Sequence, residues 1–350
     1  MDHLVFFIFT FVFSFLINSL FLKFSGTLGT KNSKDVGTII RWGSTSKPAF
    51  GGISFYIIFL ASFALYATLF AEEVIESSFV GVLVAATIGF LIGLADDAYN
   101  TKPLLKFLGQ VLCGVVLVYT NNHITAFESN WVNYSLTVLW VVGLMNSINM
   151  LDNMDAITTV VSIGVIVGAI LTLVIAGAYN HFYFWLLMGV LASLLGFLYF
   201  NWNPSKMYMG DTGSQFLGVL LAAISIYFFW NGHGEAVRSI QAKLIVPLLI
   251  FLPSIVDTSV VVINRLSKKQ SPFVGGKDHT THHLSYLGLS DRAIAIVFLG
   301  LSLLSVAIGV FVGDFVKEWT TLTVVFSLMY CLVVFASLFA ITKIKKTQSS

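Results

Sequence analysis

Four polar clusters interrupt an otherwise apolar chain of 350 residues. The first is Asp96-Asp97-Ala98-Tyr99-Asn100, followed by Lys106 and Gln110. Adjacent carboxylates in apolar surroundings are costly unless a cation or a shared proton accompanies them. The pair suggests metal or base chemistry, with a solvated loop as the plain alternative. Lys106 could pair with a phosphate as a point charge. The second cluster is Asn146-Ser147-Ile148-Asn149-Met150-Leu151-Asp152-Asn153-Met154-Asp155. Asn146, Asn149 and Asp152 recur every three residues and share a helix face. Their oxygens are hard ligands suited to Mg²⁺, although such a run also makes a helix cap.

The third cluster runs from Asn201 to Ser214 and contains Tyr208-Met209-Gly210-Asp211-Thr212-Gly213-Ser214. Asp211 can ligate a cation, and its flanking glycines would let a ligand approach the backbone. Tyr208 offers a flat face on which a base can stack. The alternative is a helix-capping Asp beside an interfacial aromatic. The fourth cluster is Gly275-Gly276-Lys277-Asp278-His279-Thr280-Thr281-His282-His283. Three histidines invite a zinc reading, but no HExxH helix or cysteine partner supports it. Imidazoles and Lys277 over a diphosphate fit equally well, and a solvated loop remains open. Two further features stand apart. Lys47-Pro48-Ala49-Phe50-Gly51-Gly52 reads as a helix entry with room for close backbone approach. Asp257 is an isolated carboxylate in an apolar run, either functional or bonded to a neighbouring helix. His3, His123, His181 and His233 lie far from these clusters.

The elements that must position these groups are membrane helices. The chain is 57% hydrophobic and only 10% charged, against about 25% charged in soluble proteins. Apolar runs recur at the ~20-residue length that spans a bilayer as a helix, without the alternating pattern of a β-barrel. We expect an all-α, polytopic bundle of about eleven spans in a single domain, residues 1–350. The spans fall at about 4–22, 50–71, 79–95, 104–120, 132–149, 157–178, 182–200, 214–231, 242–264, 294–312 and 320–342. The first lacks a basic n-region and a cleavage site and reads as a retained anchor. Of the 19 Lys and Arg residues, 16 fall in loops on one side. The positive-inside rule makes that side cytosolic, the N-terminus outside and the C-terminus inside. The Lys47 segment and all four clusters then face the cytosol, on loops of about 23–49, 95–106, 146–156, 201–213 and 265–293. Net charge of +2 argues against nucleic-acid binding. Cys113 and Cys331 lie in apolar runs and read as small buried hydrophobes.

Carboxylates, amides, an aromatic, lysines and imidazoles thus meet at one lipid–water boundary. That set suits transfer of a diphosphate-containing substrate onto something in the membrane. Lys-Pro-x-x-Gly-Gly, Asp-Asp, Asn-x-x-Asn-x-x-Asp, Met-Gly-Asp-x-Gly-Ser and the His loop, in this order, resemble the bacterial polyprenyl-phosphate N-acetylhexosamine-1-phosphate transferases. The resemblance covers most of the chain. It implies a bacterial inner-membrane enzyme that moves a sugar-1-phosphate from a UDP-N-acetylhexosamine to undecaprenyl phosphate and releases UMP. GlcNAc is the first-choice sugar, and the polymer would be a cell-envelope polysaccharide such as O-antigen. The resemblance implies that Asn149 and Asp211 hold Mg²⁺, for which Mn²⁺ could substitute. It places Lys106 on the diphosphate and Tyr208 on uracil. Asn201 and the loop around Asp152 would hold the nucleoside, with Lys47 and Asn146 in the same binding set. Asp96 or Asp97 would orient or deprotonate the lipid phosphate, while Lys277, His279, His282 and His283 close over the sugar or diphosphate. A homodimer is compatible with this reading.

The chain departs from the family pattern in places. Asn153 and Ala156 replace glycines, Asn100 replaces a charged residue, and the His loop reads His-x-x-His-His. The His-rich signature of the pentapeptide transferases is absent. Two other classes compete. An intramembrane Mg²⁺-dependent prenyltransferase needs two Asp-x-x-x-Asp motifs, and only one adjacent pair is present. A transporter or flippase places its charges near the bilayer midplane, whereas these sit at span ends.

Overall fold

The computed structural model describes residues 3–25, 47–69, 77–232, 238–272 and 275–344. All regular structure among them is helical. A segment in hydrocarbon must satisfy its own backbone polar groups, and a helix does so internally. In order the helices are α1 (His3–Phe24), α2 (Gly51–Leu69), α3 (Ser77–Tyr99), α4 (Pro103–Tyr119), α5 (Asn130–Leu151), α6 (Ile157–Ile175) and α7 (Phe182–Asn201). Then follow α8 (Gly210–Ser225), α9 (Ile240–Ile250), α10 (Leu252–Ser267), α11 (Thr280–Tyr286), α12 (Asp291–Val310) and α13 (Thr321–Ile341). Single π-helical turns extend α8 (Ile226–Trp230) and α12 (Phe311–Phe315).

Among the described residues nine helices are long and apolar enough to cross a membrane, and the bent pair α9–α10 makes a tenth. The remaining expected span is α4, whose 17 residues reach only ~26 Å at 1.5 Å per residue, short of a ~30 Å hydrocarbon core. The expected unbroken span at 242–264 is corrected. It divides at Phe251 into α9 and α10, which bend by 77°. Pro253 sits in the first turn of α10. It has no N–H to continue the ladder from α9, and its ring crowds the carbonyl four residues back. Most of the expected loop at 23–49 lies outside the described residues, as does His233.

The centre of the bundle is α8. With its π turn it is 94% buried over its most apolar window, and it packs against α2, α3, α5 and α6. Two glycines permit this crowding. A Cβ on Gly93 of α3 would stand 2.5 Å from Thr212 Cα, and one on Gly52 of α2 would stand 2.5 Å from Gly213 Cα. Side chains beyond hydrogen therefore cannot occupy these positions without moving the backbone of α8. Helices α1 and α13 lie at the periphery, with apolar residues such as Phe9 and Phe326 directed outward. In lipid that exposure carries no penalty. The start of α8, the ends of α3 and α5, and the start of α4 consequently share one end of the bundle.

Candidate active site

Lys106 is the point on which the site converges. Its Nζ lies 2.8 Å from Asp96 Oδ2, 3.3 Å from Asn149 Oδ1 and 3.7 Å from Asp211 Oδ1. Those oxygens come from α3, α5 and α8, and Lys106 itself from the first turns of α4. Asn149 Nδ2 also donates to Asp211 Oδ1 and, at 2.8 Å, to Ser214 Oγ. The expected grouping of Asp96, Lys106, Asn149 and Asp211 is therefore met in space. Asn146 lies one turn deeper. Its amide exchanges hydrogen bonds with Gln110, whose Nε2 donates to Gln215 Oε1 at 3.0 Å. This buried amide relay underlies the site. Asp152 stands at the C-cap of α5, one turn beyond Asn149.

The adjacent carboxylates have different tasks. Asp96 Oδ1 accepts from Thr101 N and Oγ1 at 2.9 and 2.6 Å, and its other oxygen faces Lys106. Asp97 instead grips the start of α8. Its Oδ1 accepts from Asp211 N at 3.0 Å, and its Oδ2 from Thr212 N and Oγ1 at 2.8 and 2.7 Å. It thus caps a helix from a neighbouring helix, where a negative charge also meets the positive end of the helix dipole. This arrangement corrects the reading of the glycines beside Asp211. Gly210 has φ +73°, and a Cβ there would meet Asp97 Oδ2 at 2.6 Å. A Cβ on Gly213 would meet Gly52 Cα at 3.1 Å. Protein, not a ligand, fills the space that these glycines leave.

Tyr208 is half-buried, and Lys47 Nζ lies 5.1 Å from its ring centroid. The entry segment is laced to this loop. Tyr208 N donates to Pro48 O, Gly51 N to Tyr208 O and Gly52 N to Met209 O. Lys47 Nζ also donates to Ser205 Oγ at 2.8 Å and lies 3.8 Å from Asp155. Asn201 is buried behind the loop. It accepts from Ala156 N and Thr159 Oγ1 and donates to Met207 O. Its amide thereby fixes the carriers of Asp155 and Tyr208.

The His loop reaches the same end of the bundle. Thr281 Oγ1 donates to Asn153 Oδ1 at 2.6 Å, beside Asp152. His279 and His282 are buried, while His283 stacks edge-on to Tyr286. His279 N donates to His282 Nδ1 at 3.3 Å. Burial and the neighbouring His279 push the His282 pKa down to about 4. Lys277 is exposed, and its carbonyl accepts from Tyr286. The loop is clamped at Asp278, where Arg265 donates from Nε at 2.8 Å and from a terminal nitrogen at 2.7 Å. Burial pushes the Asp278 carboxyl up, but these hydrogen bonds and the guanidinium charge hold it below its usual value.

Among the described residues no group of three His, Cys, Asp or Glu is arranged to hold a metal. The donors around Lys106 are two carboxylates and one amide, all hard oxygens. Mg²⁺ keeps several waters and takes one or two protein carboxylates, so this donor chemistry fits it. Zn²⁺ prefers nitrogen and sulfur. Sequence reasoning did not select Gln215, Asp155 or Arg265 as site residues. Asp155 accepts from Ser205 N, Ser205 Oγ and Asn203 Nδ2. The one available signal was polarity inside apolar runs, and it does not reveal partners 50 residues away for Asp155 or 105 for Gln215.

The profile of glycosyl transferase family 4 matches residues 79–229, from α3 to the π turn after α8. A probable undecaprenyl-phosphate N-acetylglucosaminyl 1-phosphate transferase of Bacillus subtilis is 29% identical over 292 residues, 81% of this chain and 77% of that protein. A phospho-N-acetylmuramoyl-pentapeptide-transferase of Staphylococcus haemolyticus is 31% identical over 299 residues, 77% of this chain and 86% of that protein. One from Staphylococcus aureus strain JH9 is 30% identical over 295 residues, with the same coverage.

Proposed function

Because this chain belongs to glycosyl transferase family 4, we propose that it moves an N-acetylhexosamine-1-phosphate from a UDP-sugar to undecaprenyl phosphate and releases UMP. The observation that carries this reading is the convergence of Asp96, Asn149 and Asp211 oxygens on Lys106 at the end of four helices. Phosphoryl transfer asks the protein for position and charge rather than covalent chemistry. Lys106, fixed by Asp96, takes the non-bridging phosphate oxygens. Tyr208, already beside Lys47, receives uracil by stacking. Asp96 orients the lipid phosphate, one of whose oxygens attacks the sugar-bound phosphorus as the bond to UMP breaks. Asp211 and Asn149 hold Mg²⁺, which supplies charge neutralisation for the diphosphate when bound. The lysine-rich end faces the cytosol of a bacterial inner membrane, and the product starts a cell-envelope polysaccharide.

GlcNAc is the preferred sugar, since the Bacillus subtilis relative carries that name and the pentapeptide transferase His signature is missing. The staphylococcal relatives make UDP-N-acetylmuramoyl-pentapeptide the second donor to test. Purified protein in detergent is given undecaprenyl phosphate, Mg²⁺ and one UDP-sugar at a time, and UMP is measured. UMP is expected only with lipid phosphate and metal present. Release without the lipid, or with no donor of the panel, overturns the proposal. Asp211→Asn should cut kcat by about 10²–10³-fold in protein that still melts cooperatively. Near-normal turnover would remove Asp211 from the site.

A further inference from the structure

Asp257 has no place in the chemistry above, yet it is among the most completely enclosed polar groups of the chain, at 0% exposure. It lies on α10, six residues beyond the break at Phe251. A carboxylate so placed is costly unless its oxygens are satisfied. Oδ1 accepts from Thr280 N at 2.8 Å and Thr280 Oγ1 at 2.5 Å. Oδ2 meets His279 Nδ1 at 2.8 Å. All three contacts fall on the start of α11, the helix that carries the histidines.

We infer that Asp257 is a positioning residue for the transfer, acting through His279; this rests on the function proposed above. With Oδ1 already holding two donors, Oδ2 takes the Nδ1–H of His279. That choice fixes the ring and leaves Nε2 as its other polar atom. The backbone N–H of His279 in turn donates to His282 Nδ1, so the residue whose ring Asp257 holds also seats the second imidazole through its main chain. Thr281 then ties α11 to Asn153, next to Asp152. The contacts run from inside the broken span, through His279 and the first turn of α11, to the end of α5. Arg265, two turns further along α10, pins the other end of the loop at Asp278. The loop is thereby carried by α10 from two points, and only the Asp257 point sets a ring.

Asp257→Asn separates anchoring from ring orientation. Its Oδ1 still accepts from Thr280, whereas its amide can bond His279 Nδ1 only when that nitrogen has given its proton to Nε2, so the hydrogen bond is kept and the other tautomer is selected. UMP release is measured for the wild type, Asp257→Asn, His279→Ala and the double variant, with thermal melts of each. Asp257→Asn should melt near the wild type and lose about 10- to 100-fold in kcat, with KM for the UDP-sugar changed less than about 3-fold. The double variant should be no slower than His279→Ala alone. Equal losses in both backgrounds, or wild-type turnover by Asp257→Asn, would overturn the inference. If Asp257→Asn does not fold, His279→Asn serves, since its amide can still donate to Oδ2 but has no Nε2. It should be as slow as His279→Ala, and near-normal turnover would overturn the inference equally. A wild type that releases no UMP rejects the transferase reading itself, an outcome distinct from either.

Discussion

At the residue scale, adjacent aspartates that look alike in sequence do different work. Asp96 holds the lysine at the centre of the site, and Asp97 holds the backbone of α8. Replacing Asp97 by Asn sets an amide against an N–H of Asp211 or Thr212, a mismatch worth about 1–3 kcal/mol. Asp97→Asn should therefore lower the melting temperature more than Asp96→Asn, and Asp96→Asn should lose more kcat. Thermal melts and UMP release on both variants check this, and the reverse order would exchange the roles. That Asp96, Asn149 and Asp211 share one end of the bundle was legible from residue type and position at span ends. The capping by Asp97 was not, because its partners lie 114 and 115 residues away. A side chain that caps a helix other than its own leaves no local spacing to read.

At the scale of elements, helix ends were legible wherever polar residues stop an apolar run, as at Asn149 and Asp211. The break between α9 and α10 was not. Pro247 and Pro253 lie within a continuous apolar stretch, and a proline there is compatible with a kink as well as with a turn. The small helix α11 was also hidden, since it forms around Asp257 and Asn153 rather than by its own propensity. Its stability should depend on pH through His282. Folded, this residue binds a proton only near pH 4; unfolded, it does so near its ordinary value of 6.5. Between these values the unfolded loop carries more protons, so stability is lost as pH falls from 6.5 toward 4. Protection factors for residues 280–286, with the intrinsic pH dependence of amide exchange divided out, should fall over that window. Protection factors that do not change with pH there would mean that His282 is not held neutral by its surroundings.

On the scale of the whole molecule, most of the described basic residues, Lys106, Lys206 and Arg265 among them, collect at the end of the bundle that holds the site, and Arg238, Lys243 and Lys317 mark the other. This asymmetry predicts a topology. A cysteine at Lys317 should react with a membrane-impermeant thiol reagent in intact cells, and one at Lys269 only after permeabilisation. The opposite pattern would invert the protein and place its chemistry outside. Most of the spans were legible from composition because hydrocarbon thickness dictates length, but eleven were expected and nine, or ten with the bent pair, qualify among the described residues. Their arrangement around α8 was not legible, since mean apolarity does not distinguish a helix facing lipid from one facing protein. The composition of α8 does bear on its history. Thr212, Ser214, Gln215 and Ser225 are buried against neighbours, and most of its packing partners, α2, α3 and α5, precede it in the chain. The last piece of the candidate centre around Lys106 to be synthesised is thus also a span whose polar side chains need protein neighbours rather than lipid. During biosynthesis α8 should leave the insertion machinery into a slot that earlier helices have already shaped, completing that centre before the C-terminal third of the protein has been made.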